Sequence, residues 1–349
     1  MSIDYSDELR AFDDELARLN MRGQWQQFGS AGKGGAAIVA PRNEPSAAGV
    51  PYIWRWSEVE PLLEKSCNAL KESFTARRAL AFRNPVLPRC TAQTIQMSVQ
   101  VISPGEIAWA HRHTISALRF AIIGNDKLYT VVDGIAYRMD ENDLVLTPKW
   151  TWHDHHNESD EIAAWLAVLD VPLVGALNQG FYEEFGETTQ PIRNRLDNGN
   201  SGLRAAWTTE GGVWPGDCRY PWRDVEPVLR SFEDEAGSAC DGILLDYASR
   251  ATRGPTMTTL NCRIQRLPPG FAGRPHRHTS SAVYFVVGGE GATEAGERTM
   301  EWSRRDAFVV PNWTWHRHVN RSPSRDAILF TVSDEPVMRS LDFWREERA

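Results

Sequence analysis

One pattern of histidines occurs twice in this chain, and it limits the folds that the chain can adopt. In the first copy, His111-Arg112-His113 precedes Trp150-Thr151-Trp152-His153. In the second copy, His276-Arg277-His278 precedes Trp313-Thr314-Trp315-His316. All nine histidines of the chain lie within these two copies. The spacing indicates one domain that has been duplicated, rather than a solenoid of short repeats.

The spacing of the histidines predicts a metal site. Two histidines separated by one residue on a strand point to the same face, because side chains alternate along a strand. A third histidine on a neighbouring strand can then complete a set of ligands, and neutral imidazole suits iron, zinc, copper or nickel. We therefore predict an open three-histidine site at His111, His113 and His153. A zinc finger is disfavoured because no cysteine accompanies the histidines.

The second copy offers an equivalent set of ligands, and the sequence leaves open whether that set holds a metal: His276, His278 and His316.

Composition and charge exclude several classes of protein. The chain has 349 residues, enough for two domains, and its net charge of -8 disfavours nucleic acid as the main partner. Five scattered cysteines without a Cys-x-x-Cys pair favour reduced thiols in a cytosolic protein. The acidic N-terminus lacks the features of a signal peptide, and no run of about 18 apolar residues occurs. We expect a cytoplasmic protein with neither nucleic-acid nor membrane partners.

Helical periodicity is confined mainly to the first part of the chain. Residues 7–20 predict an amphipathic helix capped by Ser6, and a second helix is expected to begin at Ser57, which has capping-box spacing to Glu60. From about residue 76, short strand-like runs dominate, and Asp133-Gly134 is typical of a type I′ hairpin turn. Many short strands separated by turns favour small β-barrels or jelly rolls.

The repeat also predicts the domain boundaries. The run Val59-Glu60-Pro61 recurs as Val225-Glu226-Pro227, so the linker between the two copies should contain a helix of the same kind. We predict four segments: an N-terminal helical and loop arm at 1–75, a catalytic barrel at 76–185, a linker and helix at 186–245, and a second barrel at 246–349.

The motifs His-x-His and Pro-x4-His-x3-Asn, each present twice, resemble the two motifs of the cupin β-barrel. The strings Ala110-His-Arg-His-Thr114 and Trp150-Thr-Trp-His-Asp-His155 are similar to those of gentisate 1,2-dioxygenases and their salicylate and 1-hydroxy-2-naphthoate relatives. The resemblance covers most of the chain from about residue 50. It implies a mainly β bicupin, with two tandem jelly-roll barrels and added helices at the N-terminus and in the linker.

The cupin pattern is incomplete at one ligand position. Many cupins carry a glutamate ligand four or five residues after the second histidine, where this chain has Ala117 and Leu118. The predicted site is therefore formed by three histidines without a carboxylate. This absence disfavours a manganese enzyme of the oxalate decarboxylase type.

The resemblance implies an Fe(II)-dependent dioxygenase that uses O2 to open a 2-hydroxybenzoate between its carboxyl- and hydroxyl-bearing carbons. It makes His155 a group that hydrogen-bonds the substrate or oxygen. Arg119 lies six residues after His113, on the same face by strand parity, and can anchor the substrate carboxylate, so both residues are predicted to be catalytic. His155, Gln100 and Arg77 match other positions that contact substrate. The open alternatives are a surface histidine at His155 and a structural ion pair at Arg119. Related enzymes are commonly homotetramers, so the resemblance implies a homo-oligomer.

Departures from the gentisate pattern bear on the substrate. An aspartate that would receive the 5-hydroxyl of gentisate is replaced by Ala167, and further departures occur at Gln96 and near Ser73. Loss of a polar partner makes a 5-hydroxyl harder to satisfy. We predict a substituted salicylate such as 5-nitrosalicylate. The alternatives are gentisate, 1-hydroxy-2-naphthoate and, more remotely, a non-catalytic ligand-binding bicupin.

The second copy lacks the anchor for an anionic substrate. Tyr284 stands where the first copy has Arg119, and Arg317 stands where it has Asp154. Catalysis is therefore expected in the first barrel only.

Overall fold

The computed structural model describes residues 6–23, 25, 44–70, 78–196, 218–233 and 235–349. The chain divides into two compact units, Met1–Pro45 and Ser46–Ala349. The first unit contains helix α1 (Asp7–Arg18), where the Leu9 amide donates to Ser6 Oγ at 3.2 Å. The predicted cap at Ser6 is thus confirmed.

The second unit is mainly β. Up to the linker it contains β1 (Tyr52–Trp54), α2 (Trp56–Ala69), β2 (Ala79–Phe82), β3 (Gln96–Ile102), β4 (Ile107–His113), β5 (Ala117–Ile123), β6 (Asn125–Val132), β7 (Ile135–Met139), β8 (Leu144–Thr147), β9 (His153–Asn157), β10 (Ala163–Leu169), α3 (Val171–Ala176), β11 (Tyr182–Glu184) and β12 (Asn194–Leu196).

The remainder repeats this order. It contains β13 (Arg219–Tyr220), α4 (Trp222–Arg230), β14 (Ile243–Asp246), β15 (Asn261–Leu267), β16 (His276–His278), β17 (Ala282–Gly288), β18 (Glu290–Ala295), β19 (Arg298–Ser303), β20 (Ala307–Val310), β21 (His316–Val319), β22 (Ala327–Ser333), α5 (Glu335–Ser340) and β23 (Glu346–Arg348).

Two sheets form each barrel. In the first barrel the sheets have the orders β13-β8-β5-β10-β3-β2 and β11-β4-β9-β6-β7-β12. In the second barrel the orders are β1-β20-β17-β22-β15-β14 and β19-β18-β21-β16-β23. The mainly β fold of two tandem barrels is confirmed, and the hairpin between β6 and β7 turns at Asp133 and Gly134, both with positive φ. The boundaries predicted at residues 75, 185 and 245 stay predictions.

The two barrels exchange their first strands. Strand β1 precedes the first barrel in sequence but pairs with β20 of the second, with Trp54 opposite Ala307. Strand β13 precedes the second barrel but pairs with β8 of the first, with Tyr220 opposite Leu144. Each exchanged strand covers an edge of the other barrel's sheet.

The helices that follow these strands are capped across the same boundary. The Trp56 amide at the start of α2 donates to Asp306 Oδ1 at 2.8 Å. The Trp222 amide at the start of α4 donates to Asp143 Oδ1 at 2.7 Å. The expectation that Ser57 caps the second helix is wrong: the helix begins one residue earlier, and Asp306 of the second barrel satisfies its first amide.

The barrels also share a hydrophobic core. Phe120 on β5 and Phe330 on β22 stack with ring centroids 4.1 Å apart, and both side chains are fully buried. One continuous cluster of buried apolar side chains includes residues of both barrels. Among the described helices, not one combines the length and the apolar character needed to cross a membrane.

Candidate active site

Three histidines converge inside the first barrel. His111 and His113 lie on β4, and His153 lies on β9 directly opposite His111. The ring centroid of His153 lies 4.4 Å from that of His111 and 4.8 Å from that of His113. One nitrogen from each ring falls within 4.8 Å of the other two, close enough for one metal ion. The structure thus brings together the three histidines that the strand alternation predicted.

Backbone carbonyls orient the three rings. Each Nδ1 lies close to a carbonyl oxygen two residues away: 2.7 Å for His111 and Trp109, 2.9 Å for His113 and Ile115, and 3.0 Å for His153 and Thr151. Because a carbonyl can only accept, each Nδ1 must donate, and each Nε2 keeps a lone pair for a metal. The Nε2 of His153 is buried and has no hydrogen-bond partner among the described residues. The donor set therefore fits a divalent transition-metal ion.

The pKa values of these histidines favour metal binding. Burial, followed by the charges of His111 and Arg119, lowers the pKa of His113 to about 4. Burial also lowers the pKa of His111, and it holds the pKa of His153 well below its ordinary range. At neutral pH all three imidazoles are therefore uncharged, which is the form that binds a metal.

Arg119 and His155 lie together beside the triad. Arg119 Nη1 donates to Thr147 Oγ1 at 3.0 Å, and its Nη2 lies 3.5 Å from His155 Nε2. Among the described residues, no carboxylate forms an ion pair with Arg119, whose contacts are with Thr147 and His155, and this argues against a structural ion pair. His155 is only 1% exposed, so it is not a surface histidine. Burial lowers the pKa of Arg119 to about 10, so the side chain remains cationic at neutral pH.

The sheet register places further side chains on the interior face. Gln100 lies opposite Trp165, whose ring centroid is 4.9 Å from that of His155. Ala167 lies opposite Arg119 on the neighbouring strand, so a small apolar side chain lies next to the base of the arginine side chain. Gln100 is therefore in the same interior as the triad and Arg119. Arg77 lies outside the described residues.

Two threonines that the sequence analysis missed support the site. Thr147 holds Arg119, and Thr130 Oγ1 lies 2.7 Å from His155 Nδ1. The internal repeat could have revealed the second, because Thr293 contacts His318 Nδ1 at 2.8 Å in the second barrel with the same sequence spacing. Thr147 has no such signal, because Val310 occupies the equivalent position on β20.

The second barrel contains a matching triad. The ring centroid of His316 lies 4.3 Å from that of His276 and 5.1 Å from that of His278. As in the first barrel, one nitrogen from each ring lies within 4.8 Å of the other two. Tyr284 occupies the position of Arg119. Burial raises the pKa of its hydroxyl, so the group is neutral.

Comparison with known proteins identifies relatives that span almost the whole chain. The cupin domain family matches residues 98–169 and 263–333. A 1-hydroxy-2-naphthoate 1,2-dioxygenase of Nocardioides sp. (strain KP7) is 39% identical and covers 97% of this chain and 87% of its own length. A 5-aminosalicylate 1,2-dioxygenase of Comamonas sp is 37% identical, with coverage of 98% and 91%.

A solved structure is also similar to this chain over nearly its whole length. The salicylate 1,2-dioxygenase from Pseudaminobacter salicylatoxidans superposes with a TM-score of 0.84 and is 28% identical, over 99% of each chain. The resemblance suggested by the histidine motifs is confirmed.

Proposed function

The chain belongs to the family of bicupin ring-cleaving 1,2-dioxygenases, and on that basis we propose that it uses Fe(II) and O2 to open a 2-hydroxybenzoate between the carboxyl- and hydroxyl-bearing carbons. The observation that carries this proposal is the neutral triad of His111, His113 and His153 beside the buried cation of Arg119. A storage or ligand-binding bicupin has no need of that combination.

In this proposal the metal brings the reactants together, and Arg119 binds the substrate carboxylate. Bound Fe(II) would supply a centre that brings the aromatic acid and O2 together and passes electrons between them. Three uncharged ligands leave the site dicationic, which favours an anionic substrate. Arg119 adds a further positive charge, and its Nε has no hydrogen-bond partner among the described residues. We propose that this side chain anchors the substrate carboxylate.

His155 is placed to accept a hydrogen bond from the substrate hydroxyl. Its Nε2 faces Arg119 Nη2, a donor, so that nitrogen is the acceptor and Nδ1–H donates to Thr130 Oγ1. Burial holds the pKa of His155 well below its ordinary range, so the ring enters the reaction uncharged. When the substrate carboxylate engages Arg119, the single lone pair of Nε2 can accept a hydrogen bond from the substrate hydroxyl. We assign Gln100 and Arg77 to the remaining polar contacts with the ring.

The substituent on the ring is the finer part of the proposal. Ala167 faces the interior beside Arg119 and offers no hydrogen-bonding group. A substrate that places a hydroxyl there would lose a hydrogen bond to water without replacement. We therefore propose a salicylate whose 5-substituent is not hydroxyl, such as 5-nitrosalicylate. The similarity to a 5-aminosalicylate 1,2-dioxygenase supports a nitrogen substituent at that position.

A second candidate substrate is 1-hydroxy-2-naphthoate. The relative that is 39% identical is named for that substrate. It is an ortho-hydroxy aromatic acid with a fused apolar ring, and the side chain opposite Arg119, Ala167, is small and apolar.

Oxygen uptake by anaerobically purified, Fe(II)-loaded protein tests these proposals. The panel is 5-nitrosalicylate, 5-aminosalicylate, salicylate, 1-hydroxy-2-naphthoate and gentisate, compared by kcat/KM. We expect one O2 consumed per ring opened, with gentisate disfavoured, and loss of uptake in His111→Ala.

Two outcomes would contradict different parts of the proposal. Iron-loaded protein that consumes no O2 with any member of the panel would contradict the assigned substrate class. A strong preference for gentisate would contradict the argument from Ala167 while leaving the chemistry of the triad and Arg119 intact.

A further inference from the structure

An arginine behind the first triad contacts both tryptophans of the turn that leads into β9. Arg112 lies between the ligands His111 and His113 on β4, so its side chain points to the opposite face of the strand. Its Cζ atom lies 4.4 Å from the ring centroid of Trp150 and 4.3 Å from that of Trp152. A guanidinium over an aromatic face at such distances is attracted to the ring. We call these three side chains the Arg112 stack.

An ion pair orients the guanidinium of the stack. Arg112 Nε and Nη2 donate to Glu183 Oε2 at 2.8 and 2.6 Å, and the two residues lie opposite each other on β4 and β11. The side chains are 25% and 47% exposed, so the pair adds little stability by itself. Its effect is to hold the guanidinium in one orientation against the two rings.

The backbone connects the Arg112 stack to the predicted metal ligands. The Trp150 amide donates to the carbonyl oxygen of His113 at 2.8 Å. Thr151, which lies between the two tryptophans, has the carbonyl oxygen that accepts a hydrogen bond from His153 Nδ1 at 3.0 Å. The stack therefore joins the residue between two ligands to the turn that orients the third.

This turn has a backbone conformation that needs support. Trp150 has a φ of 62°, which is uncommon for a residue with a bulky side chain. Such a conformation persists only where the surrounding structure holds it. Arg112 contacts the ring of Trp150, and His113 accepts its amide hydrogen. Without the guanidinium the turn can relax, and the carbonyl of Thr151 would change direction with it.

The second barrel repeats the stack together with its triad. Arg277 Cζ lies 4.3 Å from the ring centroid of Trp313 and 4.9 Å from that of Trp315, and Arg277 pairs with Glu347 at 2.6 Å. Trp313 also has a positive φ, of 53°. The stack therefore recurs with the histidines.

The stack does not follow the substrate anchor. The second barrel keeps the stack although it has Tyr284 in place of Arg119 and Val310 in place of Thr147. A contact that recurs with the ligands and not with the anchor is explained by support of the ligands.

We propose that Arg112 is a positioning residue for the metal site: through its stack it holds the turn before β9, so that His153 meets His111 and His113 in one geometry. This inference rests on the proposed function, because it concerns the metal site of the same barrel. Removing an outer contact that orients a ligand typically weakens metal binding about 10- to 100-fold.

Co²⁺ titration of the full-length apoprotein, in competition with a chelator, tests the proposal without substrate or O2. The first-barrel site is defined as the equivalent of Co²⁺ that His153→Ala abolishes. We expect Arg112→Gln to weaken the affinity of that site about tenfold. Arg112→Lys keeps the charge but has no planar group to lie over two rings, so it should not restore the affinity.

Arg277→Gln is the matched control, because it removes the equivalent stack from the second barrel. It should lower the melting temperature of the apoprotein about as much as Arg112→Gln does, and it should leave the affinity of the first-barrel site unchanged. A stack with only a structural role would lower the melting temperature in both variants and leave that affinity unchanged in both.

Three results would overturn the proposal. They are an unchanged affinity in folded Arg112→Gln, an equal loss of first-barrel affinity in Arg277→Gln, and a wild-type affinity in Arg112→Lys, which would show that the charge alone suffices. A wild type that binds no Co²⁺ dependent on His153 would instead remove the metal site of the proposed function, and this proposal with it. Circular dichroism checks folding, and Trp152→Leu, which removes one ring of the stack, is the second test if Arg112→Gln does not fold.

Discussion

A single arginine distinguishes the interiors of the two barrels. Arg119 brings a buried positive charge to the first, whereas Tyr284 brings a neutral hydroxyl to the second. Burying a guanidinium without a carboxylate is unfavourable, and the hydrogen bond from Arg119 to Thr147 offsets only part of this cost. The cost is understandable if an anionic substrate supplies the missing partner.

Replacing Arg119 tests that interpretation. We expect Arg119→Gln to lower kcat/KM by about 10- to 150-fold, because a hydrogen bond to a charged group contributes about 1.5–3 kcal/mol. Iron content should stay at the wild-type level, because Arg119 is not a ligand. Arg138→Gln, which removes a partly exposed partner of Asp140, is the control and should leave kcat/KM unchanged. A loss of iron in Arg119→Gln would instead indicate a structural role.

The residue opposite Arg119 is expected to control the ring substituent. Ala167→Asn places a polar group at the strand position opposite Arg119. The ratio of kcat/KM for gentisate to that for 5-nitrosalicylate should therefore rise about tenfold, the equivalent of one hydrogen bond. Ala167→Val fills similar space without polarity and should not raise the ratio. Equal ratios in the two variants would show that size, and not hydrogen bonding, sets the preference.

Exchange of strands and helix caps is the main feature at the level of elements. Asp143 caps α4 and pairs with Arg219 at 2.7 Å, and both side chains are 2% exposed. Asp306 caps α2 and pairs with Arg55, whose side chain is 40% exposed. Each aspartate therefore caps a helix and pairs with an arginine, but the arginine partner of Asp143 is buried and that of Asp306 is partly exposed to water.

That difference in burial predicts unequal stability losses. Asp143→Ala should lower the free energy of unfolding by about 3 kcal/mol, because it takes a carboxylate away from a buried guanidinium. Asp306→Ala should cost about 1 kcal/mol, the usual effect of losing a cap, because water can solvate the half-exposed Arg55. Urea denaturation of both variants measures the difference. Equal losses would contradict the dependence on burial.

Sequence reasoning succeeded where the determining residues are close together in the chain. The alternation of His111 and His113 and the positive φ of Asp133 and Gly134 depend only on neighbouring positions. The partner of β1 could not be predicted, because a strand of three residues has too few alternating positions to select one sheet edge. The hydrogen bond from the Trp56 amide to Asp306 could not be predicted either, because it depends on how two segments that are distant in sequence meet in the fold.

At the scale of the whole molecule, the buried histidines dominate the response to acid. Seven have lowered pKa values because burial penalises their charged form: His111, His113, His153, His155, His278, His316 and His318. Below a pH of about 6.5 the unfolded chain protonates these groups, whereas the folded chain resists protonation, since His113 holds a pKa of about 4 and His318 one of about 3. The unfolded state then binds more protons, so acid favours unfolding.

The metal-free protein should therefore lose stability steadily as the pH falls from 7 towards 4. Three carboxyl groups act in the opposite direction, because burial raises the pKa values of Asp133, Asp143 and Asp334, that of Asp334 to about 6. Their protonation in acid stabilises the folded state, but they are three groups against seven. Urea midpoints at pH 7.5, 6.0 and 5.0 measure the net effect. A midpoint that stays constant or rises over this range would show that the histidines are accessible to protons in the folded state.

The exchanged strands also have a consequence for synthesis on the ribosome. Trp54 of β1 pairs with Ala307, so β1 stays unpaired until ~250 further residues have been translated, which takes on the order of ten seconds or more. The first barrel in turn acquires β13 only after residue 220 has emerged. During that interval the nascent chain exposes an apolar segment and an open sheet edge, the kind of surface that chaperones recognise. Completion of each barrel's sheet therefore depends on a strand that lies far away in the sequence.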